Sequence, residues 1–137
     1  MFSLPVRVYW EDTDAGGVVY HAQYVAFLER ARSEWMRSCG HAQDRMRQDQ
    51  DLVFAVRAMS VDFLKPARLD DALDVGVELQ ECRRASLVFR QSVGRGDEVL
   101  LTATVRIAAL DATGFRPRAI PQPLFDQLKA LEHDPRG

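Results

Sequence analysis

The stretch VRVYWEDTDAGGVVYHAQYVAFLERARSEWMRSCG, residues 6–40, decides the fold. Val6, Val8 and Trp10 alternate with Arg7, Tyr9 and Glu11, the period of a half-buried strand. Asp12-Thr13-Asp14-Ala15-Gly16-Gly17 then reads as a turn, with glycines supplying backbone angles that a Cβ forbids. From about Ala22 to Cys39, the residues Tyr24, Phe27, Leu28, Ala31 and Trp35 recur at helical spacing, and Gly40 stands where a helix terminator belongs. This order puts a carboxylate just upstream of a helix N-terminus, whose unpaired N–H groups and positive dipole end favour negative charge. A carboxylate beside an anion-stabilising pocket supplies the two parts needed to attack a carbonyl.

Working outward, residues 42–51 are polar and predict a short helix or loop. The period then changes from 3.6 to 2. Val53 to Leu64 reads as a strand ended by Lys65-Pro66, because proline donates no ladder bond. Leu73, Val75, Val77 and Leu79 alternate with polar neighbours; Leu87, Phe89 and Val93 mark another strand, and Val99 to Leu110 a longer one. Gly94-Arg95-Gly96-Asp97 predicts a hairpin turn between the last two. Leu124, Phe125, Leu128 and Leu131 predict a terminal helix, with His133 to Gly137 frayed. One strand, one long helix and four further strands give an α+β order in a single domain over 1–137. On the long helix, Glu29 with Arg32 and Arg30 with Glu34 are spaced for surface pairs of about 0.2–0.5 kcal/mol each.

A chain of 137 residues, nearly half of them apolar, is long enough for one real core. A net charge of −2 argues against a nucleic-acid footprint. No apolar run approaches the roughly 20 residues that span a bilayer. MFSLPVRVYW lacks the pattern of a signal peptide, and Cys39 and Cys82 have no metal or redox spacing, so a cytoplasmic, reduced protein is expected.

EDTDAGGVVYHAQYVAFLERAR resembles the signature of the small hot-dog-fold acyl-CoA thioesterases, close to the Tol-Pal system-associated group and more distantly similar to 4-hydroxybenzoyl-CoA thioesterases. The likeness continues through FLKPARLDD and CRRASLVF to IPQPL, nearly the whole chain. It implies a curved antiparallel five-stranded sheet wrapped around one long central helix. It also implies a homodimer or homotetramer with active sites at the subunit interface, acting on acyl-CoA, with acyl carrier protein conjugates as alternative donors. No metal or other cofactor is implied. A thiol of pKa about 8.5 leaves as thiolate, so a carboxylate that attacks the carbonyl, or activates a water that does so, suffices without a serine triad.

Asp14 takes the catalytic position of that motif. Asp12 is expected to hydrogen-bond backbone and fix the loop. His21 is the motif's histidine, suited to orient water or contact the carboxylate, while its backbone N–H faces the oxyanion; His41 and His133 read as incidental. The resemblance puts Arg83 and Arg84, in the turn CRRAS, against the nucleotide phosphates, to which guanidinium forks are well matched. Ser86 is a lesser candidate at the same rim, and Ala85 stands where the distant branch carries lysine. Trp10 replaces an expected tyrosine and is assigned to the core or to a wall of the acyl pocket. The alternatives are a hydratase or dehydratase on the same architecture, and a non-enzymatic acyl-binding or envelope-associated interaction protein.

Overall fold

The computed structural model describes residues 2–40 and 43–133. Five strands form one antiparallel sheet: β1 (Phe2–Arg7), β2 (Leu52–Phe63), β3 (Ala72–Cys82), β4 (Ser86–Arg95) and β5 (Glu98–Asp111), in spatial order β1-β3-β4-β5-β2. Helix α1 (His21–Ser38) crosses one face of the sheet, α2 (Gln43–Gln50) leads into β2, and α3 (Gln122–Leu131) closes the described chain. This is the hot-dog fold that the resemblance implied.

The predicted stripe of α1 is buried: Tyr24, Phe27, Leu28, Ala31 and Trp35 are covered by the sheet. Trp35 meets Phe89 of β4 edge to face at 5.2 Å between ring centroids, and Val75, Val77, Leu101 and Val105 fill the same layer from β3 and β5. Each fully buried aliphatic or aromatic side chain here contributes about 1.5–3 kcal/mol. The other face of β5 is polar and exposed, through Thr102, Thr104 and Arg106. That alternation pins the register, since a one-residue slip would invert every side chain. The β4–β5 connection turns at Gly96-Asp97, with Gly96 at φ 59°, as a tight hairpin requires. Gly40, at φ 89°, follows α1 where a terminator was predicted.

Three expectations need correction. The first strand ends at Arg7, not at Trp10. Trp10 opens a short 3₁₀ turn, Trp10–Asp12, and is 79% exposed, so it belongs neither to the core nor to a pocket wall of this chain. The cause is local: the Asp12 carboxylate accepts the Tyr9 N–H at 2.8 Å and curls the chain out of the ladder. The Glu29–Arg32 and Arg30–Glu34 surface pairs also give way to other contacts. Arg32 is buried and donates to Gln91, Arg30 lies over the Phe27 ring, and Glu34 pairs with Arg37. Finally, His133 is not frayed. Its N–H donates to the Leu79 carbonyl at 2.8 Å and its Nε2 lies 3.2 Å from Glu78, because α3 delivers it to β3. His41 and residues 134–137 lie outside the described residues.

Candidate active site

The motif loop is folded back on itself by backbone pairing. Thr13 bridges Val19, Asp14 N–H donates to Val18 O at 2.9 Å, and Gly17 N–H donates to Asp14 O at 3.0 Å. Gly17 sits at φ 80°, a conformation that disfavours any Cβ. The second arm is tied down by Val19 N–H to Ala67 O and by Tyr20 N–H to Asp12 O, both 2.9 Å. The loop closed in this way joins Asp12 to Tyr20 at the helix start and carries Asp14 beside Val18.

Asp12 is 5% exposed, and both its carboxylate oxygens are engaged. Oδ2 takes the Tyr9 N–H and Oδ1 takes Gln23 Nε2, each at 2.8 Å. Asp12 therefore fixes the loop to the first turn of α1. Asp14 is exposed; its Oδ1 accepts Gly16 N–H at 2.8 Å, and Oδ2 has no partner among the described residues. One oxygen is oriented and the other is available.

Tyr20 is the N-cap of α1 and supplies no side-chain cap, and the first turn carries no acidic residue. The positive end of the helix dipole at His21 is thus left to an external anion. The exposed His21 stacks near Tyr20, ring centroids 4.5 Å apart. It also lines a cavity of about 290 Å³ with the apolar or aromatic Val19, Tyr24, Phe63, Leu64 and Pro66 and with Lys65. Tyr24 Oη accepts the Ala67 N–H at 3.0 Å, which holds the 64–67 segment against the helix. Asp14 is not among the residues lining this cavity in the single chain.

Arg83 and Arg84 occupy the β3–β4 turn and Ser86 opens β4, as predicted. Arg83 pairs with Glu81, the Arg84 carbonyl accepts Ile120 N–H at 2.7 Å, and both arginine side chains are exposed. One chain does not bring them to Asp14. β1 runs antiparallel to β3 with Arg7 opposite Ala72, so the motif loop leaves at one end of β3 and the arginine turn lies at the other. The ten steps from Ala72 to Cys82, at about 3.3 Å each, make β3 roughly 33 Å long.

Sequence reasoning missed Gln23, whose amide anchors Asp12, and Phe63 and Leu64, which face His21. The polar Gln23 one turn into an amphipathic helix carries no periodic signal. The exposed Phe63-Leu64 pair just before Lys65-Pro66 was the available clue to the cavity. Among the described residues no group of three or more His, Cys, Asp and Glu side chains is placed to hold a metal ion. No described helix is long and apolar enough to cross a membrane.

A five-stranded sheet around one helix, with an oriented carboxylate leading into an uncapped helix start, defines a protein of the hot-dog class. Residues 16–106 match the thioesterase superfamily, and the chain belongs to that family. It is 43% identical over 132 residues to the acyl-CoA thioesterase YbgC of Haemophilus influenzae, covering 96% of this chain and 94% of that one. It is 45% identical over 130 residues to the acyl-CoA thioester hydrolase YbgC of Escherichia coli O6:H1, covering 94% and 96%. Among solved structures, a probable thioesterase from Bartonella henselae superposes with a TM-score of 0.83 at 35% identity, over 87% of this chain and 98% of that one. A 1,4-dihydroxy-2-naphthoyl-CoA thioesterase from Synechocystis, at 22% identity and covering 97% and 98%, shares the fold with a TM-score of 0.85.

Proposed function

We propose that this protein hydrolyses acyl-CoA thioesters to a carboxylic acid and free coenzyme A. The observations that support the reading are an Asp14 carboxylate with one oxygen held and the other open, just upstream in sequence of the uncapped start of α1, in a chain so similar to named acyl-CoA thioesterases. Asp14 acts either as the nucleophile, through an acyl-aspartyl anhydride that water then opens, or as the base that takes a proton from the attacking water. In both cases the carbonyl oxygen gains negative charge. The amides of the first turn of α1 stabilise that oxyanion, and a single such donor is typically worth about 2.7–4 kcal/mol in the transition state. The C–S bond breaks, the thiolate departs and is protonated by solvent, and the acyl group leaves as carboxylate. His21 assists by orienting water. Acyl carrier protein conjugates present the same thioester and are alternative donors.

The site is completed by a second copy of the chain. Arg83, Arg84 and Ser86 serve the nucleotide end of coenzyme A, and their distance from Asp14 along β3 fits a site assembled from two subunits. The second subunit has a surface to meet. β2 is a twelve-residue edge strand, and Val56, Phe63 and Leu64 on it or just beyond it are exposed. Unpaired edges with apolar side chains favour association.

Free-thiol release from a panel of acyl-CoAs tests the reading. Thiol release with stoichiometric carboxylic acid supports it. Hydration of crotonyl-CoA without thiol release identifies a hydratase, and tight binding without turnover identifies an acyl-binding protein.

A further inference from the structure

Behind edge strand β2, well along α1 from His21, lies a second cavity of about 240 Å³. Met36 of α1, Phe54 of β2, Phe89 of β4 and Ile107 of β5 are among its apolar walls, the exposed Val56 of edge strand β2 also lines it, and Arg32 and Glu29 bring charge to the lining. Arg32 is the exceptional member. It is 6% exposed, in the centre of the helix face that packs on the sheet. Its hydrogen-bond partner among the described residues is neutral: Nη1 donates to Gln91 Oε1 at 2.8 Å, and Gln91 in turn donates from Nε2 to the Leu28 carbonyl at 3.0 Å.

A guanidinium carries five N–H donors and remains charged at physiological pH. Among the described residues no side-chain nitrogen or oxygen is both sealed from solvent and without a hydrogen bond. Arg32 lines the cavity, and none of its nitrogens is both sealed from solvent and without a hydrogen bond. Burial lowers the affinity of Arg32 for its proton, while the charge of Glu29 one turn away opposes this through space. Buried charges are ordinarily paired, since desolvation is expensive without a counter-charge. Here the nearest countercharge is Glu29, exposed and lining the same cavity, and no hydrogen bond joins it to Arg32 among the described residues.

We propose that this cavity is a binding site for a small organic monocarboxylate, its apolar body against Met36, Phe54, Phe89 and Ile107 and its carboxylate on the Arg32 guanidinium. Planar forks accept carboxylates in bidentate fashion, and such charge-assisted bonds are about twice as strong as neutral ones. The volume equals about eight water-sized groups at about 30 Å³ each, the size of a six-carbon acid. The proposal is independent of the thioesterase reading, because its test measures binding and not turnover.

The test is an NMR titration of the full-length protein with hexanoate and, separately, with the isosteric neutral hexanamide. The Met36 methyl and the Arg32 Nε–H serve as reporters. Hexanoate is expected to shift both and to bind at least about ten-fold more tightly than hexanamide, as a charge-assisted bond in a desolvated site predicts. Arg32→Met abolishes that preference. Gln91→Glu places a carboxylate beside the guanidinium and abolishes it too, which keeps the test decisive if Arg32→Met fails to fold. Asp14→Asn leaves the preference intact. The proposal is overturned if acid and amide bind alike, or if neither shifts the reporters at tens of millimolar. It is also overturned if the preference survives in Gln91→Glu, or if it strengthens in Asp14→Asn, where loss of the neighbouring negative charge would favour an acid bound at the thioester site.

Discussion

Gln23 Nε2 donates to Asp12 Oδ1 at 2.8 Å, so the first turn of α1 and the loop that carries Asp14 are joined by a side-chain bond as well as by the chain. The second oxygen of Asp12 takes the Tyr9 N–H. Removing a partner leaves a buried polar group unsatisfied, at a cost of about 1–3 kcal/mol. Asp12→Ala is expected to lower unfolding free energy by that amount in urea denaturation, and Gln23→Leu by somewhat less. Unchanged midpoints for both would deny Asp12 its structural role.

The two glycines of the loop answer different demands. Gly17 has open space around a Cβ but sits at φ 80°, so Gly17→Ala is expected to cost about 1–2 kcal/mol through the backbone alone. A Cβ on Gly16 would lie 3.2 Å from Asp14 Oδ1. Gly16→Ala should therefore displace the carboxylate and reduce kcat while leaving the thermal midpoint nearly unchanged. Comparing the melting curves and turnover of both variants checks the distinction.

How far such a site can be read from sequence depends on whether a residue's role is periodic. The helix stripe and the alternation in β3 and β5 are periodic, and they put an amphipathic helix against a mostly antiparallel sheet; the wrapped hot-dog arrangement was implied by the motif's family resemblance. Trp10 broke the pattern because a single hydrogen bond to Asp12 ends the strand three residues early. Arg32 read as a surface charge since its burial depends on Gln91, 59 residues away, which no local period reports. Asp14 and Arg83 were both singled out by motif, yet their placement at opposite ends of β3 emerges only once register is known.

That placement makes two predictions together. Arg83→Ala with Arg84→Ala should raise KM for acyl-CoA far more than it lowers kcat, because a remote phosphate contact binds ground and transition states alike. Acyl thioesters lacking the nucleotide should be unaffected. Stability should change little, since the exposed Arg83–Glu81 pair is worth about 0–1 kcal/mol. Light scattering should give a dimeric or tetrameric mass; a fully active monomer would contradict a site shared between subunits.

The segment that walls the His21 cavity is fastened by ions. Arg95 bonds Asp71 at 2.7 Å and Glu98 at 3.1 Å, and reaches the Pro66 carbonyl at 3.3 Å. Burial pushes the Asp71 carboxyl up, but the Arg68 amide and the bond and charge of Arg95 outweigh it and hold it below its ordinary value. A carboxyl depressed on folding stabilises fully above its unfolded pKa of about 3.9, and that contribution fades as pH falls through the lower folded value. Asp71→Asn should thus destabilise at pH 7 and converge with the parent protein in strong acid. Parallel curves of stability against pH would remove Asp71 from this role.

The central claim is that Asp14 performs the chemistry, and single-turnover hydrolysis by Asp14→Asn tests it most directly. The substitution keeps shape and removes charge and basicity. His21→Ala serves as a milder comparison that should slow turnover without ending it, since the backbone donors remain. For folded Asp14→Asn, the chemical step should slow at least about 100-fold, the lower bound for losing an acid–base group. Binding of a non-hydrolysable acyl-CoA analogue and the thermal midpoint should stay close to those of the parent. Near-normal hydrolysis in Asp14→Asn, with Asp12→Asn folded but inactive, would contradict the account and transfer the chemistry to Asp12.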